Sequence, residues 1–212
     1  MFYFIKTPWF IKKIFSFGVW DMPLTNNKTV YLTFDDGPHP TITPFVLEEL
    51  RKYKAKATFF CIGNNVYKYK NMYDSILEEG HAVGNHTQDH VNGWTTPDEL
   101  YVSNIEAASK RIQSDLFRPP YGRMKKSQFN LLRKKIPSMK IIMWNVLSAD
   151  FDISIDAEKC IHNVMKNIQP GSILVFHDSE KAFPRLQSTL PTVLKKLSEK
   201  GFLFEKIPGN LP

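Results

Sequence analysis

The feature that most limits the fold of this chain is an alternation. Short runs rich in Val, Ile, Leu and Phe recur along it, and stretches of helix length with one apolar face separate them. The candidate strands are residues 30–36, 57–62, 82–85, 116–117, 140–146, 172–176 and 202–204. The candidate helices are residues 43–53, 64–79, 96–114, 127–135, 156–167 and 186–199. Asn64 is read as the cap of the second, and Thr96-Pro97 as N-cap and first residue of the third. Strand-helix alternation with short connections calls for a parallel α/β sheet flanked by helices. With this many units, a closed or nearly closed (β/α)7–8 barrel is expected over an open sheet. No GxGxxG or P-loop pattern argues for a nucleotide-binding open sheet.

The first of these runs carries the chemistry that organises the rest. It is apolar and β-branched, ends in the adjacent carboxylates Asp35 and Asp36, and is stopped by Gly37-Pro38. Consecutive strand residues point to opposite faces, so the two acids are expected to do different work. A carboxylate pair at the end of a buried strand is costly without a cation beside it. Other polar residues also follow strands: His86 and His90, Arg118, Asp150 and His177. In an α/β barrel these positions share the C-terminal mouth, where active sites are built. The HxxxH pair alone is a weak metal signal. With Asp36 it makes an open two-nitrogen, one-oxygen set that suits Zn²⁺ and leaves room for water and a substrate oxygen. Asp35 is then the candidate general base, with Arg118 to hold and orient it. His177 is the candidate proton donor to a leaving amine, and Asp150 the carboxylate that keeps it protonated. His39, His81 and His162 follow no such pattern and are read as structural or exposed.

Composition sets looser bounds. The 212 residues suit one catalytic domain over residues 26–212, preceded by an aromatic and basic segment over residues 1–25. The formal charge of +7 favours anionic partners, such as acidic glycans or a membrane surface. No block of basic residues interleaved with stacking aromatics supports nucleic-acid binding. Two cysteines, Cys61 and Cys160, give no disulfide framework. The N-terminal segment makes a poor signal peptide, since its apolar run after Lys13 is short and no A-x-A site follows. Two readings of it stay open: an amphipathic contact of residues 1–20 with a membrane, or a hydrophobic cover on the barrel. A cytoplasmic or membrane-associated monomer is the expectation.

Five segments in order carry a resemblance. Thr33-Phe34-Asp35-Asp36-Gly37, His86-Thr87-Gln88-Asp89-His90, Arg118-Pro119-Pro120-Tyr121-Gly122, Ser148-Ala149-Asp150-Phe151 and Leu174-Val175-Phe176-His177 resemble the five motifs of the polysaccharide deacetylase family. This is the NodB-homology fold, carbohydrate esterase family 4. The resemblance implies a distorted parallel (β/α) barrel and metal-dependent removal of N-acetyl groups from glycans containing N-acetylglucosamine. One divalent ion is implied, zinc first, with cobalt or nickel as substitutes. Asp36, His86 and His90 resemble the family's metal triad, Asp35 its base, and Arg118 the residue orienting that base. His177 resembles the general acid and Asp150 the carboxylate that tunes it. The backbone N–H of Tyr121 resembles the oxyanion donor. Phe151 and Val175 fall where the family lines the acetyl pocket, and Pro119 and Tyr121 complete the substrate-binding set. Phe151 stands where many members carry Trp, and Leu147 where many carry Asp, so the departures touch the substrate side and no catalytic group. Two alternatives remain: a deformylase or deacetylase of a lipid-linked amino sugar, and a non-catalytic glycan-binding domain.

Overall fold

The computed structural model describes residues 3–24, 27–209 and 211. In chain order, α1 (Trp9–Ile14) and β1 (Gly18–Val19) precede the long strand β2 (Thr29–Asp35) and α2 (Ile42–Lys52). Next come β3 (Thr58–Cys61), α3 (Gly63–Lys68), α4 (Lys70–Glu78), β4 (Ala82–Asn85) and α5 (Asp98–Ser109). After them follow β5 (Leu116–Phe117), α6 (Lys126–Lys135), β6 (Lys140–Ile142) and β7 (Val146–Leu147). The chain closes with α7 (Ala157–Asn167), β8 (Ile173–His177), α8 (Phe183–Glu199) and β9 (Leu203–Glu205).

All the named strands pair in parallel in one curled sheet, ordered β1-β6-β5-β4-β3-β2-β8-β7, with β9 beside the start of β2. The expected parallel α/β barrel is therefore present, in the form of a half-barrel whose seam lies where β6 and β7 do not pair with each other, β1 lining the β6 side. The N-terminal segment works at that seam. Leu147 donates its N–H to Ile5 and Thr7 donates to Asn145, so residues 5–7 lie along the outer edge of β7. Further on, Gly18 and Val19 pair with Ile141 and Ile142 of β6. One segment thus supplies hydrogen-bond partners to both sides of the seam, covering edges that would otherwise be open.

Strand alternation sorts the two layers. Val30, Leu32 and Phe34 of β2 face the helices and pack with Phe59 and Phe176, whose rings stack on Phe34 at 5.1 and 5.8 Å. The intervening Tyr31, Thr33 and Asp35 face the lumen, where Tyr31 meets Phe60, Leu116, Ile142 and Ile173. In α2 the apolar residues Ile42, Val46, Leu47 and Leu50 fall on one face and are buried against the sheet, as their spacing requires.

Three local differences from the sequence reading have physical causes. The helix expected over 64–79 is two helices, because Tyr69 leaves the helical region at φ −125° and caps both. The strand expected over 140–146 breaks after Ile142, because the Met143 carbonyl accepts from the Arg118 side chain and the chain then crosses the seam. Pro97 stands at the N-cap of α5, one place earlier than its expected first-turn position, because its ψ of 146° is extended and the helix begins only at Asp98.

Candidate active site

Each catalytic or metal-binding candidate sits at the end of a strand or in the loop after it. Asp35 ends β2 with Asp36 next in the chain; His86 and His90 follow β4; Arg118 follows β5; Asp150 follows β7; His177 ends β8. Parallel register sets Asp35 directly beside His177. Asp35, Asp36, His86, His90, Pro119, Tyr121, Phe151, Val175 and His177 line one cleft of about 630 Å³. Arg118 and Asp150 lie behind it, both wholly buried.

The two carboxylates part company at the strand end. Asp35 points into the lumen with its residue only 4% exposed, and Arg118 donates to its Oδ1 at 2.7 Å. Alternation would send Asp36 to the helix side. Its φ of +82° breaks the alternation, and its Oδ1 lies 3.3 Å from His90 Nε2 and 3.7 Å from His86 Nε2. Thr87, His90, Tyr121 and Ala149 also carry positive φ, so five of the six non-glycine residues with left-handed backbone among those described sit in the mouth loops, Lys54 being the sixth. Gly37 is required for close approach: a Cβ there would come within 2.1 Å of Asp178 Oδ2. Asp178 instead accepts from the Gly37 N–H and from Thr43 Oγ1, clasping the loop that carries Asp36.

The donor set fits a cation. One ligand atom from each of Asp36, His86 and His90 lies within 4.8 Å of the others. His86 Nδ1 donates to the Arg118 carbonyl at 2.7 Å, which leaves Nε2, the atom facing Asp36, as a lone-pair donor. Burial lowers the His86 pKa to about 4, against the opposing pull of Asp35, so its imidazole is neutral as a metal ligand must be. Burial alone would raise the Asp36 pKa. A hydrogen bond from His90 and the charges of His177, His86 and His90 outweigh it, and the carboxyl is held well below its usual range.

On the opposite wall His177 Nδ1 donates to Asp150 Oδ1 at 2.7 Å, while the His177 N–H donates to Asp150 Oδ2 at 2.8 Å. Burial opposes charge on this imidazole. The Asp150 carboxylate overcomes it, with Asp36 and Asp35 adding to the effect, and the pKa rises to about 9. The site therefore pairs a neutral histidine on one side with a protonated one on the other, the division of labour that hydrolysis of an amide needs.

The model of the family described as polysaccharide deacetylase matches residues 24–135. The chain belongs to that family. A peptidoglycan-N-acetylglucosamine deacetylase of Bacillus cereus is 33% identical over 194 residues, covering 89% of this chain and 90% of that protein. A chitooligosaccharide deacetylase of Azorhizobium caulinodans is 32% identical over 201 residues, covering 86% of this chain and 94% of its own. Among solved structures, the Bc1960 peptidoglycan N-acetylglucosamine deacetylase in complex with 4-naphthalen-1-yl-N-oxidanyl-benzamide superposes with a TM-score of 0.79. It shares 30% identity and covers 89% of this chain and 90% of that one.

This deacetylase is thus a hydrolase of N-acetyl amide bonds, from a metal-dependent family, with a group of side chains suited to hold the metal. Sequence reasoning missed several residues of its site. Thr33 accepts from Arg118 and donates to the Leu174 carbonyl; its position two before Asp35, on the same strand face, was the available signal. Phe60 of β3 lies under the guanidinium at 4.1 Å, two strands away from β5 in the sheet. The N-terminal residues Tyr3, Phe4, Ile11 and Trp20 line the cleft, and nothing local in the sequence marks them. Tyr3 donates its hydroxyl to Asp152 and sets its ring on Phe151, which in turn meets the His177 ring edge-on at 5.3 Å. The other histidines are accounted for: His39 Nδ1 accepts from the Thr41 and Ile42 N–H groups at the start of α2, His81 Nδ1 accepts from Ala57, and His162 is exposed on α7.

Proposed function

We propose that this protein removes acetyl groups from N-acetylglucosamine units of a peptidoglycan- or chitooligosaccharide-type glycan, with zinc held by Asp36, His86 and His90. The observation that carries the reading is the convergence of three units on one cleft: the Asp36-His86-His90 group, the Asp35–Arg118 ion pair and the Asp150–His177 pair. The cation, when bound, polarises the amide carbonyl and acidifies water. Asp35, oriented by Arg118, takes a proton from the attacking water as its oxygen adds to the carbonyl carbon. The Tyr121 N–H donates to the developing oxyanion. His177 delivers its proton to the leaving nitrogen, the C–N bond breaks, and acetate and a free amine leave. Val175 and Phe151 form the apolar wall for the acetyl methyl, and Pro119 and Tyr121 the wall that meets the sugar.

The direct test is acetate release by zinc-loaded protein from chitooligosaccharides and from peptidoglycan fragments. Release from neither, with about one metal per chain confirmed, sinks the substrate assignment. It then moves attention to a second reading, a formyl or acetyl amide on a lipid-linked amino sugar. That reading draws on the apolar part of the cleft wall, Phe4, Ile11 and Trp20.

Two expected outcomes belong to these roles. His90→Ala lowers the metal content after dialysis from about one to well below one per chain, since two ligands seldom retain zinc. An unchanged ratio by elemental analysis removes His90 from the ligand set. Asp150→Asn shifts the alkaline limb of the kcat/KM profile to lower pH by about one unit or more, because a pKa of about 9 for His177 depends on that carboxylate. The sign for stability follows the same shift. The protonated His177 contributes in full below its unfolded pKa of about 6.5, and the contribution is lost as pH rises through about 9. A superimposable pH profile in the variant would separate His177 from the acid role.

A further inference from the structure

The segment before β1 has a face that the fold does not use. None of the residues of α1 is buried. Trp9 is 74% exposed and Ile14 66%, with Phe10 and Phe4 at 43% and 40%. The Phe10 ring meets Trp9 edge-on at 6.3 Å and Phe4 at 6.5 Å, so the aromatics form one patch and are not scattered singly. Lys6 and Lys13 are exposed around it, Lys6 donating to Gln169 Oε1 at 3.4 Å; Lys12 is tied to Asp21 at 2.7 Å, and the helix sequence WFIKKI holds no acid. The patch is anchored, because residues 5–7 and 18–19 on either side of it pair with the sheet. It also adjoins the active site: Phe4 and Ile11 line the same cleft as Asp36 and His177.

We infer that this face docks the protein on an anionic lipid bilayer, with Trp9, Phe10 and Ile14 in the interfacial layer and Lys6 and Lys13 against the headgroups. A short, acid-free helix that exposes Trp, Phe and Ile with a lysine among them has the chemistry of an interfacial anchor. Apolar area and attraction to anionic headgroups add there. A second copy of the chain is the poorer occupant, because a two-fold contact on this patch would bring Lys13 towards Lys13 in a net +7 protein. No helix of the described residues is long and apolar enough to cross a membrane, so the contact is peripheral. Docked this way, the protein holds its cleft at the lipid surface and acts on glycan that lies there.

The test uses the chain of residues 1–212 and vesicles, without any glycan, so its outcome is independent of the deacetylase assignment. Sedimentation with phosphatidylglycerol vesicles at low salt is expected to bind the protein at least about tenfold more tightly than phosphatidylcholine vesicles, with the difference falling as salt rises. The double substitution Trp9→Ser/Ile14→Ser is expected to weaken that binding by about tenfold or more, with the melting temperature unchanged. Lys13→Glu, which leaves the apolar face intact, is expected to weaken binding to phosphatidylglycerol alone. No binding to phosphatidylglycerol, or equal binding by the wild type and all variants, overturns the inference. So does a dimer in sedimentation equilibrium that the double substitution disperses, since a second copy would then cover the patch.

Discussion

Asp35→Asn is expected to reduce turnover by about 10²–10⁴-fold while leaving metal content unchanged. The amide keeps the size of the carboxylate and still accepts from Arg118 Nη1 through its oxygen, so the lumen around it stays packed. It has no carboxylate lone pair to take the proton of the attacking water. Metal content is spared because the proposed ligand group is Asp36, His86 and His90, and Asp36 is turned away from Asp35 by its φ of +82°. Acetate release measured beside elemental analysis checks both halves. A variant with a near wild-type rate would place the base elsewhere, and one that loses its metal would make Asp35 a ligand.

Arg118→Ala is expected to cost about 3–5 kcal/mol of folding stability and to abolish most activity. Its guanidinium is fully buried and donates to Asp35 at 2.7 Å, Thr33 at 2.7 Å, the Met143 carbonyl at 3.0 Å and the Ile142 carbonyl at 3.2 Å. Removing it leaves a buried carboxylate without its counter-charge and two carbonyls without donors. Arg118→Lys keeps the charge, but one ammonium cannot reach all four acceptors in their plane, so an intermediate loss is expected. Denaturant unfolding at neutral pH measures the first effect. A loss for Arg118→Ala within the range of ordinary surface substitutions would mean that water replaces the guanidinium, and the positioning role would fall with it.

Much of this site is legible in the chain because a parallel barrel turns sequence position into spatial position. A polar residue just after an apolar run must emerge at the mouth, whichever strand carries it, so Asp35, His86, Arg118, Asp150 and His177 are found without coordinates. The resemblance adds roles for Tyr121, Val175 and Phe151 that spacing does not supply. Residues whose function depends on reaching across the barrel leave no such mark. Phe60 beneath Arg118 and Tyr3 against Phe151 come from strands and segments far away in sequence. Their partners are chosen by sheet curvature, which no local pattern encodes.

The N-terminal segment shows the same division. Its aromatic and basic composition is plain in the sequence and leaves both a membrane contact and a barrel cover open. The structure pairs Ile5 and Thr7 with one side of the β6–β7 seam and Gly18 and Val19 with the other, leaving Trp9 and Ile14 in solvent between them. The sequence by itself determined the alternation, the parallel sheet and the ring of strand-end acids, histidines and arginine, because each follows from local periodicity and chain direction. Only the tertiary structure decided where the sheet opens, which segment covers its edges, and that Asp36 turns out of strand phase towards His86 and His90. Those outcomes rest on backbone groups that find partners only when distant strands curl together.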